Sequence, residues 1–335
     1  MTSRISILPQ DVLDSLIFRL NVGLEGREAP RFLRLPHPRT GVPSLFLPYR
    51  AHDSERTKIL EVQVVAPPNE RSWIMTEGQI LEDGQLLLMT PVDPAFLLIP
   101  ILRSIHPSDG SLGNFRPLED MLEDASRIFM RRHQSERATA KGDNDVQLTM
   151  KDITEFCAFD CVLSAAKRIC ETKDITEDIV VYRYSPERVV KYLKNKVSRV
   201  ANPTLLDGSR TIVRSLAKDG LMEDGKESLL ESGRLRAACD LISHYTPPDI
   251  FDSLLASYDF AALNAHLEAA QQETAALAAS KMANVEAKES KGSKDTTDAA
   301  KKRKAAAKGS HGVEQLKKVN VKGMAKLSTF FQKAA

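Results

Sequence analysis

The chain has 335 residues, 42% of them hydrophobic, which is enough for two domains with real cores and a tail. Its formal charge of +2 hides an asymmetry: from Lys281 onward 14 Lys and Arg stand against 5 Asp and Glu, so the tail carries +9 and residues 1–280 carry −7. A mildly acidic body argues against a protein whose bulk wraps nucleic acid, and the basic tail calls for an acidic surface or an import receptor.

Residues 1–90 read as short strands between turn signals. The candidates are Arg4 to Leu8, Leu13 to Leu20, Arg31 to Leu35, Leu45 to Pro48, Ile59 to Val65, Ser72 to Met75 and Gln85 to Met89. Stretches such as PHPRTGVP, APPNE and LEDGQ separate them, rich in residues that set turn dihedrals. Asp83-Gly84 predicts a tight hairpin. Ninety residues of short strands bury little surface by themselves and leave edges that need cover, so a partner chain completing a small barrel is the natural inference.

The most apolar run, QLLLMTPVDPAFLLIPIL from Gln85 to Leu102, predicts the centre of the molecule, with Trp73, Pro91, Asp93, Pro94 and Phe96 as its structural core residues. Leu86 to Met89 fit a buried strand ending at Thr90, before Pro91. Asp93 followed by Pro94 is a helix start: a carboxylate that caps open N–H groups, then a residue whose missing donor costs nothing there. Pro100 predicts a kink or stop near Ile99. The run is too short and interrupted to span a bilayer, which needs roughly 20 apolar residues, and no membrane contact is expected.

From Phe115 the pattern turns helical. Leu118, Met121, Leu122, Ala125 and Phe129 share one face, and a polar stretch from His133 to Asp145 reads as a loop. Further helices are expected over Ile153 to Glu171, Pro186 to Val200, Ser228 to His244 and Pro248 to Tyr258, with Asn202 to Lys226 as loop. Ser185-Pro186-Glu187 supplies cap, proline and first-turn carboxylate in order. The Lys191, Lys194, Lys196 and Arg199 face of that helix reads as solvated, with a duplex contact as the rival reading. Beyond Phe260 no aromatic residue occurs until Phe330, and the intervening Ala-, Lys- and Glu-rich segment predicts a linker that is helical over part of Ala261 to Ala287 and otherwise mobile.

Chemistry is sparse. Cys157, Cys161, Cys170 and Cys239 have no paired spacing, which fits core thiols in a reducing compartment, and the first residues carry no secretion signal. No histidine stands at metal-ligand spacing, and no phosphate-binding glycine loop or nucleophile elbow occurs. A two-metal nuclease needs converging carboxylates; the densest set, Glu119, Asp120, Glu123 and Asp124, reads as the wet face of a helix. In the tail, Met324, Leu327, Phe330 and Phe331 follow the spacing of a sliding-clamp-binding box, two adjacent aromatics with no core to enter. Met324 stands where that box usually has glutamine. Lys301, Lys302, Arg303 and Lys304 resemble a nuclear import signal.

Six separated strings carry a resemblance: SWI at Ser72 with TPVDPAFLL at Thr90, FRPLED at Phe115, YRYSPERVVKYLKNKV at Tyr182, LISHYTPP at Leu241 and MAKLSTFF at Met324. In their order and spacing the chain resembles the B-subunit family of eukaryotic type 2 ribonuclease H, from end to end. The resemblance implies a non-catalytic scaffold whose N-terminal strands interleave with the C subunit in a triple barrel on which the catalytic A subunit docks. It further implies cleavage of RNA in RNA–DNA hybrids and at ribonucleotides embedded in DNA, performed by the complex. The tail would bring that complex to the PCNA sliding clamp in the nucleus. No cofactor is expected in this chain, and divalent metal only in the catalytic partner.

The expected fold is therefore α+β: a β-barrel-like heterodimerisation domain over residues 1–112, completed by a partner subunit, then a helical domain over 113–260. For the helical part a winged-helix arrangement is one option. A flexible basic linker over 261–323 and a clamp-binding tail over 324–335 follow. The rival function is a free-standing, clamp-tethered DNA-binding adaptor.

Overall fold

The structure, a computed structural model, describes residues 4–22, 31–50, 56–69, 71–76, 78–82, 84–107, 110–139, 148–177 and 179–291. Residues 1–273 form one compact unit; the second unit begins at Thr274, and what is described of it is the later part of a helix that starts at Ala261. The basic cluster Lys301–Lys304 and the box at Met324, Leu327, Phe330 and Phe331 lie outside the described residues.

In the first half, β1 (Ile5–Ile7) leads into α1 (Gln10–Val22), then β2 (Leu33–Pro36), β3 (Pro43–Arg50) and β4 (Thr57–Val65). A ribbon of β5 (Trp73–Ile74) and β6 (Ile80–Leu81) precedes β7 (Leu86–Val92). Five of these strands make one sheet in the order β1-β7-β4-β3-β2, antiparallel except for β1 against β7. Phe46 pairs with Glu61 and Leu47 with Leu60, so alternate residues face opposite sides. On one side Leu33, Leu35, Phe46 and Ile59 enter the core of the helical half. On the other, Leu47, Tyr49, Leu60 and Met89 pack under Val12 of α1.

Two sequence expectations differ here. Leu13 to Leu20 lie in α1, not in a strand; Val12, Ser15 and Leu16 turn inward at helical spacing. β7 runs through Pro91 to Val92 instead of ending at Thr90. Pro91 is opposite Leu60 beyond the end of β1, where β7 has one neighbour and a missing donor is tolerated. The turn expected at Asp83-Gly84 falls on Asp83, which lies outside the described residues; the β5–β6 ribbon turns between Met75 and Gln79, with Gly78 at φ +78°. Gly84 is needed for closeness: a Cβ there would come 2.4 Å from the Arg71 carbonyl oxygen.

The second half begins with α2 (Pro94–Arg103), which continues through Pro100 because Leu97, Leu98, Ile99, Ile101 and Leu102 are all buried around it. Next come α3 (Leu118–Thr139), which extends into the stretch expected to be loop, α4 (Met150–Cys157) and α5 (Asp160–Ile169). The single helix expected from Ile153 to Glu171 is thus two, turned at Ala158-Phe159. A hairpin that the sequence pattern does not announce follows, β8 (Cys170–Asp174) with β9 (Val180–Tyr184). α6 (Pro186–Val200) is as expected, capped by Ser185 accepting from the Arg188 N–H.

Asn202 to Lys226, expected to be loop, holds α7 (Pro203–Leu206) and α8 (Arg210–Lys218). α9 (Glu227–Ser243), α10 (Pro248–Leu255) and α11 (Ala261–Lys291) complete the order. Helix, turn, helix and antiparallel hairpin make the helical half a winged-helix arrangement within an α+β protein. No described helix is long and apolar enough to cross a membrane.

Candidate partner interface

Two polar joints weld the sheet to the helices. Asp93, between β7 and α2, caps α2 by accepting from the Ala95 N–H at 3.0 Å. The same carboxylate receives Tyr192 Oη at 2.6 Å, Lys196 Nζ at 2.6 Å and the Arg168 guanidinium at 3.1 Å. Burial disfavours its charge, but hydrogen bonds from Lys196, Tyr192 and the Ala95 N–H outweigh that and hold its pKa at about 2. Burial and the neighbouring Asp93 charge push the Tyr192 hydroxyl above the usual tyrosine range.

At the second joint Glu61, 3% exposed, accepts from Tyr245 Oη at 2.6 Å and Gln63 Nε2 at 3.0 Å. Burial, then Glu61, raises the Tyr245 pKa to about 12. Burial lowers the pKa of His37, whose Nε2 lies 3.8 Å from Glu61, and outweighs the pull of that carboxylate. Arg39 adds a bond to the Ser243 carbonyl, and the Thr57 N–H donates to Asp160.

With that face of the sheet sealed, the other is half covered. α1 shields Leu47 and Leu60, but Leu45 and Val64, further along the same face, are exposed, and α1 turns Leu13 and Ile17 to solvent. The β5–β6 ribbon stands outside the five-stranded sheet and exposes Ile74 at 81% and Ile80 at 64%. Among the described residues, 12 of 22 exposed large apolar side chains fall within the first 80 residues, a concentration that makes this part the candidate contact surface.

The expected core residues divide accordingly. Asp93 and Pro94 start α2, and Phe96 packs edge-on to Tyr192 and tilted against Tyr245. Trp73 is not in the core: it is 36% exposed because its strand belongs to the ribbon. Pro91 is exposed at the rim of the sheet.

Of the acids weighed as a nuclease site, Asp124 pairs with Arg116 at 2.6 Å and Glu123 with Arg127 at 2.6 Å, the behaviour of a wet helix face. No group of three or more His, Cys, Asp or Glu among the described residues is placed to hold a metal ion. Burial pushes the Cys157 and Cys239 thiols up to about 11 and those of Cys161 and Cys170 up to about 12, which leaves them protonated and inert at neutral pH.

A sheet domain with apolar skin joined to a winged-helix domain is the build of one member of a complex. Two family models cover it almost without a gap: the Ydr279p protein triple barrel domain over residues 7–93, and the Ydr279p protein family (RNase H2 complex component) wHTH domain over residues 96–255. The chain belongs to this family.

It is 25% identical over 228 residues to the B subunit of Ribonuclease H2 of Mus musculus, covering 67% of this chain and 61% of that one. The figures are 25% over 227 residues for the corresponding Rattus norvegicus protein, covering 67% and 62%, and 24% over 191 residues for that of Xenopus laevis, covering 55% and 51%. The matched stretch thus spans less than two thirds of each relative.

Proposed function

We propose that the chain is the non-catalytic B subunit of a type 2 ribonuclease H heterotrimer. In this reading its strands complete a triple barrel with the C subunit, and the catalytic A subunit docks on the joined barrel. The assembled complex cleaves RNA in RNA–DNA hybrids and excises single ribonucleotides from DNA, with divalent metal held by the catalytic partner and no cofactor in this chain. The basic cluster at Lys301–Lys304 directs it to the nucleus, and Met324, Leu327, Phe330 and Phe331 tether it to the PCNA sliding clamp.

The observation that carries this reading is the concentration of exposed apolar side chains on the sheet and its ribbon. Burying one such side chain contributes roughly 1.5–3 kcal/mol, so several together supply an obligate interface rather than a passing one.

Co-expression tests it. The wild-type chain is expected to co-purify with A and C subunits in equal amounts, and hybrid cleavage is expected to need all three. Val64→Glu with Ile74→Glu should remove the chain from the complex while its own unfolding free energy moves by less than about 0.5 kcal/mol, as for exposed positions. A complex that forms and cleaves equally well without this chain refutes the reading.

A further inference from the structure

On the helical half, the last turn of α5 and one side of α6 enclose a groove of about 240 Å³. Two of its cations are fixed in place. Arg168 and Lys196 both pair with Asp93 and lie over the Tyr192 ring at 5.4 and 5.5 Å, so a half-buried acid and an aromatic floor preorganise them. Four more, Lys167, Arg188, Lys191 and Arg199, line the groove, and none forms an ion pair among the described residues. Six cations around one acid, in a concavity, focus a positive field in a body whose net charge is negative.

We propose that this groove binds the phosphate backbone of a nucleic-acid duplex, without reading its bases. Three observations point to an extended polyanion met without base reading. Arg188, Lys191 and Arg199 follow one helical face, and eleven residues at a rise of about 1.5 Å extend roughly 16 Å. One strand of a duplex advances four or five nucleotides over that distance, at about 3.4 Å each along the duplex axis, and so presents a row of phosphates; a single inorganic anion would meet two or three of the cations.

Base reading in a helix–turn–helix protein comes from the N-terminal end of its second helix. Here that end is occupied: Asp160, in the first turn of α5, accepts the Thr57 N–H of β4 at 3.2 Å. The hairpin also does not serve as a basic wing, for Asp174, Ile175, Glu177 and Ile179 stand at its tip. What remains open is cationic and backbone-directed. The choice of a duplex over an acidic protein rests on the function proposed above, because a hybrid-cleaving complex brings that polyanion with it.

The test measures binding of the full-length chain to a 20-base-pair RNA–DNA hybrid of two unrelated sequences, over a series of salt concentrations. Arg188→Ala, Lys191→Ala and Arg199→Ala combined are expected to flatten the slope of log affinity against log salt by about 2 to 3, since each phosphate contact contributes about 0.9. Affinity at 0.1 M salt should drop at least about tenfold, equally for both sequences. Lys167→Ala alone, at an exposed position that leaves α6 untouched, should flatten the slope by about 1, which keeps the test valid should the triple variant unfold.

An unchanged slope overturns the proposal. So does loss of polyglutamate binding with hybrid binding intact, which would make the groove a dock for acidic protein. The same variants are expected to co-purify with A and C subunits; failure of the wild type to do so refutes the proposed function, and leaves the slopes to decide the groove by themselves.

Discussion

Asp93 does two jobs, and only one is written locally. Asp followed by Pro announces a cap, and Asp93 caps α2. Its other partners are 75 and 99 residues away in Arg168 and Tyr192, beyond the reach of any spacing rule. Asp93→Asn separates the jobs, because asparagine caps as well as aspartate but carries no charge. The folded pKa of about 2 lies below an ordinary carboxylate value near 3.9, so the ion pairs add stability at all pH above about 4 and lose it as pH falls toward 2. A shift of that size corresponds to about 2 kcal/mol. Urea unfolding should show Asp93→Asn about 2 kcal/mol less stable at pH 7, with the gap to wild type closing between pH 4 and pH 2. A gap that stays constant over that range would mean that the charge contributes nothing.

Elements are legible where the pattern is strong and its flanks are plain. α6, with hydroxyl, proline and carboxylate in sequence, is readable to the residue, and β4 nearly so. α8 is hidden by the glycines around it, though Ile212 and Leu216 lie one turn apart. The β8–β9 hairpin is hidden because CETKD has little strand character until Val181, Tyr182 and Tyr184 bury against the helices.

Without α8, Gly233 has no explanation either. In the middle of α9, a Cβ at that position would meet Leu221 Cδ1 at 2.7 Å and Leu216 Cδ2 at 3.1 Å, so the glycine lets α8 and the turn after it close onto α9. Alanine there regains about 1 kcal/mol of helix propensity while the two leucine tips shift. Valine gains less and must push both aside, at a cost of about 1–3 kcal/mol. Gly233→Val is therefore expected to destabilise by about 2 kcal/mol in thermal unfolding and Gly233→Ala by much less. Equal effects would show that the contact with α8 is loose.

At the scale of the molecule, charge and apolar surface are sorted along the chain. The first 80 residues carry the apolar skin, α5 and α6 the cationic groove, and the residues from Lys281 onward a net +9. The family and the unfinished character of the sheet are readable in the sequence. Which strand faces stay open is not, because α1 reads as a strand and the cover it provides is then invisible.

The tail belongs to the same division of labour: Phe330 and Phe331 have no apolar neighbours in the sequence between Phe260 and themselves except scattered Leu, Met, Val and Ala. In the proposed function the two rings enter a pocket on the clamp, where each contributes roughly 1.5–3 kcal/mol, less what ordering the peptide costs. Phe330→Ala with Phe331→Ala should then weaken binding to the sliding clamp at least about 100-fold, near 3 kcal/mol, measured by titration calorimetry. Assembly with the A and C subunits and hybrid cleavage in free solution should be unchanged, because in the proposed function neither uses the tail. Clamp binding that survives the double substitution would move the tether to the lysines. Loss of assembly would mean that the two rings belong to the fold of the complex and not to its anchorage.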